Sequence, residues 1–157
     1  MKAKYILMPL LVVLTMLIGQ SFFGQLNISG AVLNLPLIFS ILICFFSKDD
    51  LFNLISISLF AFVLELNSTN YGFNFLAFII LWFVVRYAIK LISQKNVLSF
   101  VFIAFISCLT YQLLFFVYSL LNYSINRCFN WQSLIYNFIV LVIIYFVYDF
   151  AKKKIQD

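Results

Sequence analysis

The sequence contains no histidine and only five acidic residues among its 157. Without histidine, the common zinc sites and the serine–histidine nucleophile systems lack a ligand or a base. We therefore expect that the protein is not an enzyme and that it holds no metal and no cofactor. The five acids are Asp49, Asp50, Glu65, Asp149 and Asp157.

Charge of either sign is scarce, because Asp, Glu, Lys and Arg together make up 10% of the chain, whereas 66% of its residues are hydrophobic. Soluble chains are typically about 25% charged and about 45–50% apolar. A chain of this length has too little polar surface to cover such an apolar excess. The composition predicts a protein embedded among membrane lipids, with no nucleic-acid partner despite its net charge of +5.

Six apolar runs approach the roughly 20 residues that a membrane helix needs. They are continuous rather than alternating, which favours helices over transmembrane strands. We predict an all-α integral membrane protein, a single polytopic domain over residues 1–157 with about six transmembrane helices in one compact bundle. The predicted spans are 5–23, 28–46, 51–66, 73–92, 97–121 and 131–150.

The distribution of lysine and arginine predicts the orientation of these spans. If the chain crosses the membrane six times, nine of its ten Lys and Arg residues lie on the same side as the two termini. Arg127 alone lies on the other side. Cytoplasmic segments carry the excess of Lys and Arg, so both termini are predicted to be cytoplasmic. The alternative for residues 5–23 is a cleaved signal peptide, because Lys2 and Lys4 precede that apolar run. The run 51–66 is short and polar, and it either crosses inside the bundle or stops before the far headgroups.

Glu65 lies at the outer end of the predicted span 51–66. A carboxylate at membrane depth is costly unless it is paired, protonated or reached by water. In one interpretation Glu65 simply extends to the headgroups. In the other, Glu65 forms a partner-binding or structural corner with the turn residues Asn67, Asn70 and Gly72, whose side chains and backbone N–H groups are its nearest hydrogen-bonding groups.

Other polar residues within the spans are predicted to join helices rather than to bind ligands. Interhelical hydrogen bonds of this kind contribute about 0.6 to 2 kcal/mol each. Arg86 and Lys90 are predicted to extend their charges to the headgroups, and Pro36 either kinks span 28–46 or marks its true start. The predicted interhelical residues are Asn34, Asn53, Gln112 and Asn137.

The order of several features along the chain resembles a known family. Pro36 lies early in the second span, Glu65 ends the third, a short polar turn leads to Gly72, and Leu76-Ala77 follows in the next span. The last span runs from Trp131 to a lysine-rich end. This arrangement resembles the bacterial rod shape-determining MreD family, in which Glu65 takes the place of the usual aspartate.

The resemblance implies a non-catalytic component of the cell-elongation machinery in the bacterial cytoplasmic (inner) membrane. Such a protein binds the bitopic scaffold MreC and supports peptidoglycan synthesis and control of cell shape. Through MreC it is linked indirectly to MreB, to RodA and to a class B penicillin-binding protein. The fold implied is similar to that of the S components of energy-coupling-factor transporters.

That similarity of fold makes a vitamin-binding S component the main alternative function. In that case Glu65, Asn67, Asn70 and Trp131 line a ligand pocket at the outer face. The short outer loops argue against it, because they offer little to cap a ligand. A flippase or small channel is a third class, which calls for more polar groups along a cavity than this sequence contains.

Overall fold

The computed structural model describes Leu14 and residues 33–66, 72–92, 96–121 and 129–156. Apart from Leu14, the first predicted span, 5–23, lies outside the described residues, as do the turn residues Asn67 and Asn70. The described part of the chain contains five α-helices. They are α1 (Leu35–Phe46), α2 (Asp50–Leu66), α3 (Phe73–Leu91), α4 (Val97–Leu121) and α5 (Trp131–Gln156).

Three of these helices are long and apolar enough to cross a membrane, namely α3, α4 and the Trp131–Lys152 part of α5. Helix α1 is apolar, but its 12 residues span only about 18 Å at 1.5 Å per residue. Helix α2 has 17 residues and carries Asp50 and Glu65 close to its two ends. The protein is therefore helical with three candidate membrane spans, while the six crossings and the orientation of the termini remain predictions.

Helix α1 occupies the centre of the bundle, because it packs against each of the other four described helices. Consecutive helices also pack on one another from α1 to α5. More than half of α1 is buried, including Ile38 and Ile41, which are fully inaccessible. A short helix with neighbours on every side must be apolar around its whole circumference, and the sequence LPLIFSILICFF meets that condition.

Helix α1 begins at a well-formed cap. The Asn34 side chain accepts a hydrogen bond from the Leu37 N–H at 3.0 Å, which satisfies one of the first N–H groups of the helix. Pro36 follows in the first turn, where its missing N–H removes no intrahelical bond. Pro36 therefore marks the start of this helix and does not kink it.

Aromatic rings tie α1, α4 and α5 together. The Phe100 and Tyr145 rings stack with their centroids 4.1 Å apart, and Phe45 meets the Phe100 ring edge-on at 5.0 Å. The edge-on arrangement is favoured by the ring quadrupoles. The outward surface is apolar as well, as Phe83, at 61% exposed, illustrates. Among the described residues, the other fully buried large apolar side chains are Leu37, Ile57, Phe60, Phe78, Leu81, Val85, Ile103 and Leu141.

Candidate functional site

The carboxylate of Glu65 lies against the start of the neighbouring helix. Glu65 belongs to the last turn of α2, and its two oxygens accept hydrogen bonds from the backbone N–H groups of Gly72 and Asn74, the latter at 3.1 Å. Helix α3 begins at Phe73, so these N–H groups are among those that have no partner within the helix. A negative charge at this position is also favoured by the helix dipole. We call Glu65, Gly72 and Asn74 the Glu65 corner.

Gly72 gives the corner its backbone shape. Its φ of 84° and ψ of −21° lie in the left-handed region, which costs a residue with a side chain about 1–2 kcal/mol. A Cβ atom added at Gly72 would meet nothing within 4 Å. The turn therefore needs glycine for its backbone conformation and not for space.

Of the four residues predicted for this site, the structure brings Glu65 and Gly72 into contact, while Asn67 and Asn70 lie outside the described residues. Asn74 is a member of the corner that the sequence analysis missed. It contributes its backbone N–H, a group that every residue except proline carries, so no feature of the Asn74 side chain identified it. The sequence feature that could have identified Asn74 is its position two residues after Gly72, the glycine that precedes α3.

A second polar group joins the starts of α1 and α5. The side-chain oxygen of Asn137 accepts a hydrogen bond from the Asn34 N–H at 2.8 Å, and its amide nitrogen donates to the Ser133 carbonyl at 2.7 Å. Tyr111 of α4 lies beside the Asn34 side chain, and the centroid of its ring is 6.4 Å from that of Phe73. Tyr111 therefore lies between Asn34 and the first residue of α3.

The other two predicted interhelical residues lie elsewhere. Asn53 is fully buried on α2, and its amide nitrogen donates to the Ser47 carbonyl at the end of α1, at 3.3 Å. Its side-chain oxygen has no hydrogen-bond partner within the described residues. Gln112 is buried on α4.

Charged side chains meet at the opposite end of the α2–α3 pair. Arg86 of α3 forms an ion pair with Asp50 at the start of α2, and its Nη1 atom donates to the Ser47 carbonyl at 3.4 Å. The Arg86 side chain is 15% exposed and that of Asp50 is 68% exposed. Arg86 thus contacts its neighbours in the bundle, whereas the sequence predicted only extension to the headgroups. The sequence feature that could have predicted this ion pair is an acid at the start of α2 followed by a base near the end of α3, because antiparallel neighbours bring those two ends together.

The α2–α3 hairpin is consequently held at both ends, by a carboxylate on backbone N–H groups at one and by an ion pair at the other. Among the residues that the structure describes, no three metal-binding side chains lie together. No family model, no curated protein and no solved structure matches this chain.

Proposed function

We propose that the protein is a non-catalytic membrane component of the bacterial cell-elongation machinery, and that it binds a bitopic scaffold of the MreC type. In this role it supports peptidoglycan synthesis and cell shape by holding the scaffold in the inner membrane, with both of its own termini in the cytoplasm. MreB filaments, RodA and a class B penicillin-binding protein are then indirect partners, linked through the scaffold.

The observation that supports this function best is the geometry of the Glu65 corner. A binding surface made of two helices keeps its shape only if the angle between the helices is fixed. Interactions that fix this angle before binding reduce the conformational entropy that the protein loses when the partner binds. The Glu65 carboxylate acts directly on the backbone at the start of α3. Beside it, Leu66 and Leu76 are 68% and 56% exposed and offer apolar surface to a partner helix within the bilayer.

The residues that carry the family resemblance have structural roles of the same kind. Pro36 lies in the first turn of α1, and Gly72 adopts a positive φ immediately before α3. In the Leu76-Ala77 pair, Ala77 is fully buried and Leu76 faces outward. Pro36 and Gly72 set where a helix begins, Ala77 packs inside the bundle, and Leu76 contributes to the outer surface, as expected for a protein that acts through the shape of its surface.

The decisive experiment is affinity purification of the tagged protein from native membranes in mild detergent, followed by mass spectrometry of the proteins that accompany it. We expect an MreC-like bitopic protein, with or without a penicillin-binding protein. Glu65→Ala should reduce its recovery severalfold. Asp50→Asn is the matched control, because it removes one carboxylate from the same hairpin at the opposite end, and recovery should stay at the wild-type level.

Two results would contradict the proposal. If ABC-type ATPases and a second membrane subunit accompany the protein, it acts in vitamin uptake as an S component. If the Glu65→Ala and Gly72→Ala variants each recover as much scaffold as the wild type does, the Glu65 corner is not part of the binding surface. The amount and thermal stability of each purified variant show whether a loss of recovery reflects the surface or general unfolding.

A further inference from the structure

A cavity of about 410 Å³ lies at the Arg86 end of the bundle, beside the α2–α3 ion pair. Its charged lining comes from Lys48 after α1, from Asp50 on α2, and from Arg86 and Lys90 on α3. Three cations face one carboxylate, so the cavity has a formal excess of two positive charges. A volume of this size is within the range of small-ligand sites, roughly 300–1,000 Å³.

Hydrogen-bond donors beside this cavity are in excess. The Nε atom of Arg86 and the indole Nε1 atom of Trp82 have no acceptor within the described residues, and both residues line the cavity. Asp50 forms an ion pair with the Nη2 atom of Arg86, but the Arg86 Nε and Trp82 Nε1 donors still have no acceptor within the described residues. Both of these atoms are buried from solvent, so the donors that a ligand can reach in the cavity are those of the exposed Lys48 and Lys90 side chains.

The remaining lining is apolar and continues to the outer surface of the bundle. Phe83 and Tyr87, both in the cavity wall, are 61% and 67% exposed. The site therefore combines a cationic pocket with aromatic side chains that face the surroundings of the helices. A ligand that matches both parts is an amphiphile with an anionic head and an apolar tail. Free phosphate matches only the first part.

We propose that this cavity binds the phosphate group of an anionic phospholipid, with the acyl chains lying along Phe83 and Tyr87. Lys48, Arg86 and Lys90 provide the charge. Basic pockets at the cytoplasmic ends of membrane helices recognise anionic headgroups in this way. The distribution of cations in the sequence predicts that this end lies in the cytoplasmic leaflet. The site is independent of the proposed scaffold function, because it lies at the opposite end of the hairpin from the Glu65 corner.

The test uses the full chain purified in a neutral detergent, with thermal unfolding followed as lipid is added to the micelles. We expect phosphatidylglycerol to raise the midpoint temperature of unfolding until the site is saturated. A ligand that binds only the folded state stabilises that state. Phosphatidylcholine and inorganic phosphate should leave the midpoint unchanged. Native mass spectrometry should detect bound phosphatidylglycerol in the same samples.

A double variant that combines Lys48→Gln with Lys90→Gln tests the location of the site. Each lysine in direct contact with an anionic headgroup strengthens its binding about fivefold, so this double variant should bind phosphatidylglycerol about 25-fold more weakly. The matched control is Lys152→Gln with Lys154→Gln, which removes the same charge from exposed positions on α5 and should bind as the wild type does. Arg86 is left intact because it also holds the hairpin together.

The proposal is overturned if both lysine double variants bind phosphatidylglycerol equally. It is also overturned if phosphatidylcholine stabilises the protein as strongly, or if inorganic phosphate alone reproduces the effect, since the site would then recognise a soluble anion.

Discussion

The two ends of the α2–α3 hairpin use charge in different ways. At the Glu65 end a carboxylate accepts hydrogen bonds from backbone N–H groups that the helix itself leaves unpaired. At the Arg86 end two side chains of opposite charge meet, and the carboxylate partner is 68% exposed. Exposed ion pairs contribute about 0–1 kcal/mol, whereas hydrogen bonds to a charged group contribute about 1.5–3 kcal/mol. We therefore expect the Glu65 end to stabilise the hairpin more than the Arg86 end does.

The comparison fails most clearly if the Glu65 carboxylate proves dispensable for stability. We expect Glu65→Ala to lower the free energy of unfolding by about 2–3 kcal/mol, because it removes both hydrogen bonds at the start of α3. Unfolding of the detergent-solubilised protein by heat or by sodium dodecyl sulfate measures the loss. Asp50→Ala is the control from the other end of α2, and an equal or larger loss in that variant would contradict the prediction.

Gly72 sharpens the comparison by separating backbone conformation from charge. Gly72→Ala should cost about 1–2 kcal/mol, because it places a side chain on a left-handed residue. Asparagine tolerates that conformation better, so Gly72→Asn should cost less. Since a Cβ atom has free space at Gly72, equal stability losses in the two variants would show that the positive φ is not the cause.

The hydrogen bond between α1 and α5 tests how far the rigidity of the Glu65 end extends. Asn137→Leu leaves the Asn34 N–H without its acceptor, and we expect a loss of about 1 kcal/mol, typical of interhelical hydrogen bonds in membranes. Ile139→Leu, on the same helix at a position 48% exposed, serves as the control. An unchanged unfolding midpoint for Asn137→Leu would limit the rigid region to the α2–α3 hairpin.

The smallest effect is expected at the Arg86 end. Asp50→Asn should change the free energy of unfolding by no more than about 0.5 kcal/mol, and added salt should reduce the difference further. The same unfolding assay at low and high ionic strength measures both values. A loss above about 2 kcal/mol that persists in salt would mean that the ion pair is shielded from solvent and that both ends are equally rigid.

Much of the helical layout was predictable because lipid imposes simple rules on length and composition. The predicted spans 73–92 and 97–121 agree with α3 and α4 to within one residue. The predicted span 28–46 ends where α1 ends, but α1 begins only at Leu35. Predicted span 131–150 is shorter than α5, which continues through the lysines to Gln156. Lysines at a helix end interact favourably with its dipole, so charge ends the apolar run without ending the helix.

The candidate site was predictable in part. Glu65 was identified because a carboxylate in an apolar run needs a partner, and Gly72 because glycine permits a reversing turn. Asn74 was not identified, since it acts through its backbone. The Arg86 contact with Asp50 was missed because it joins residues 36 positions apart, and the bundle brings them together.

The amino-acid sequence alone determined that the chain is helical and lipid-compatible, where most helices start and stop, and which polar residues needed an explanation. These properties follow from hydropathy, charge and local backbone preference, which each segment carries by itself. Only the tertiary structure decided that α1 is the central helix, that Asn137 accepts from the Asn34 N–H, and that Arg86 closes one end of a hairpin whose other end is held by Glu65. Those choices depend on which helix faces lie against each other, and helices that are apolar on nearly every side do not specify that through their own pattern.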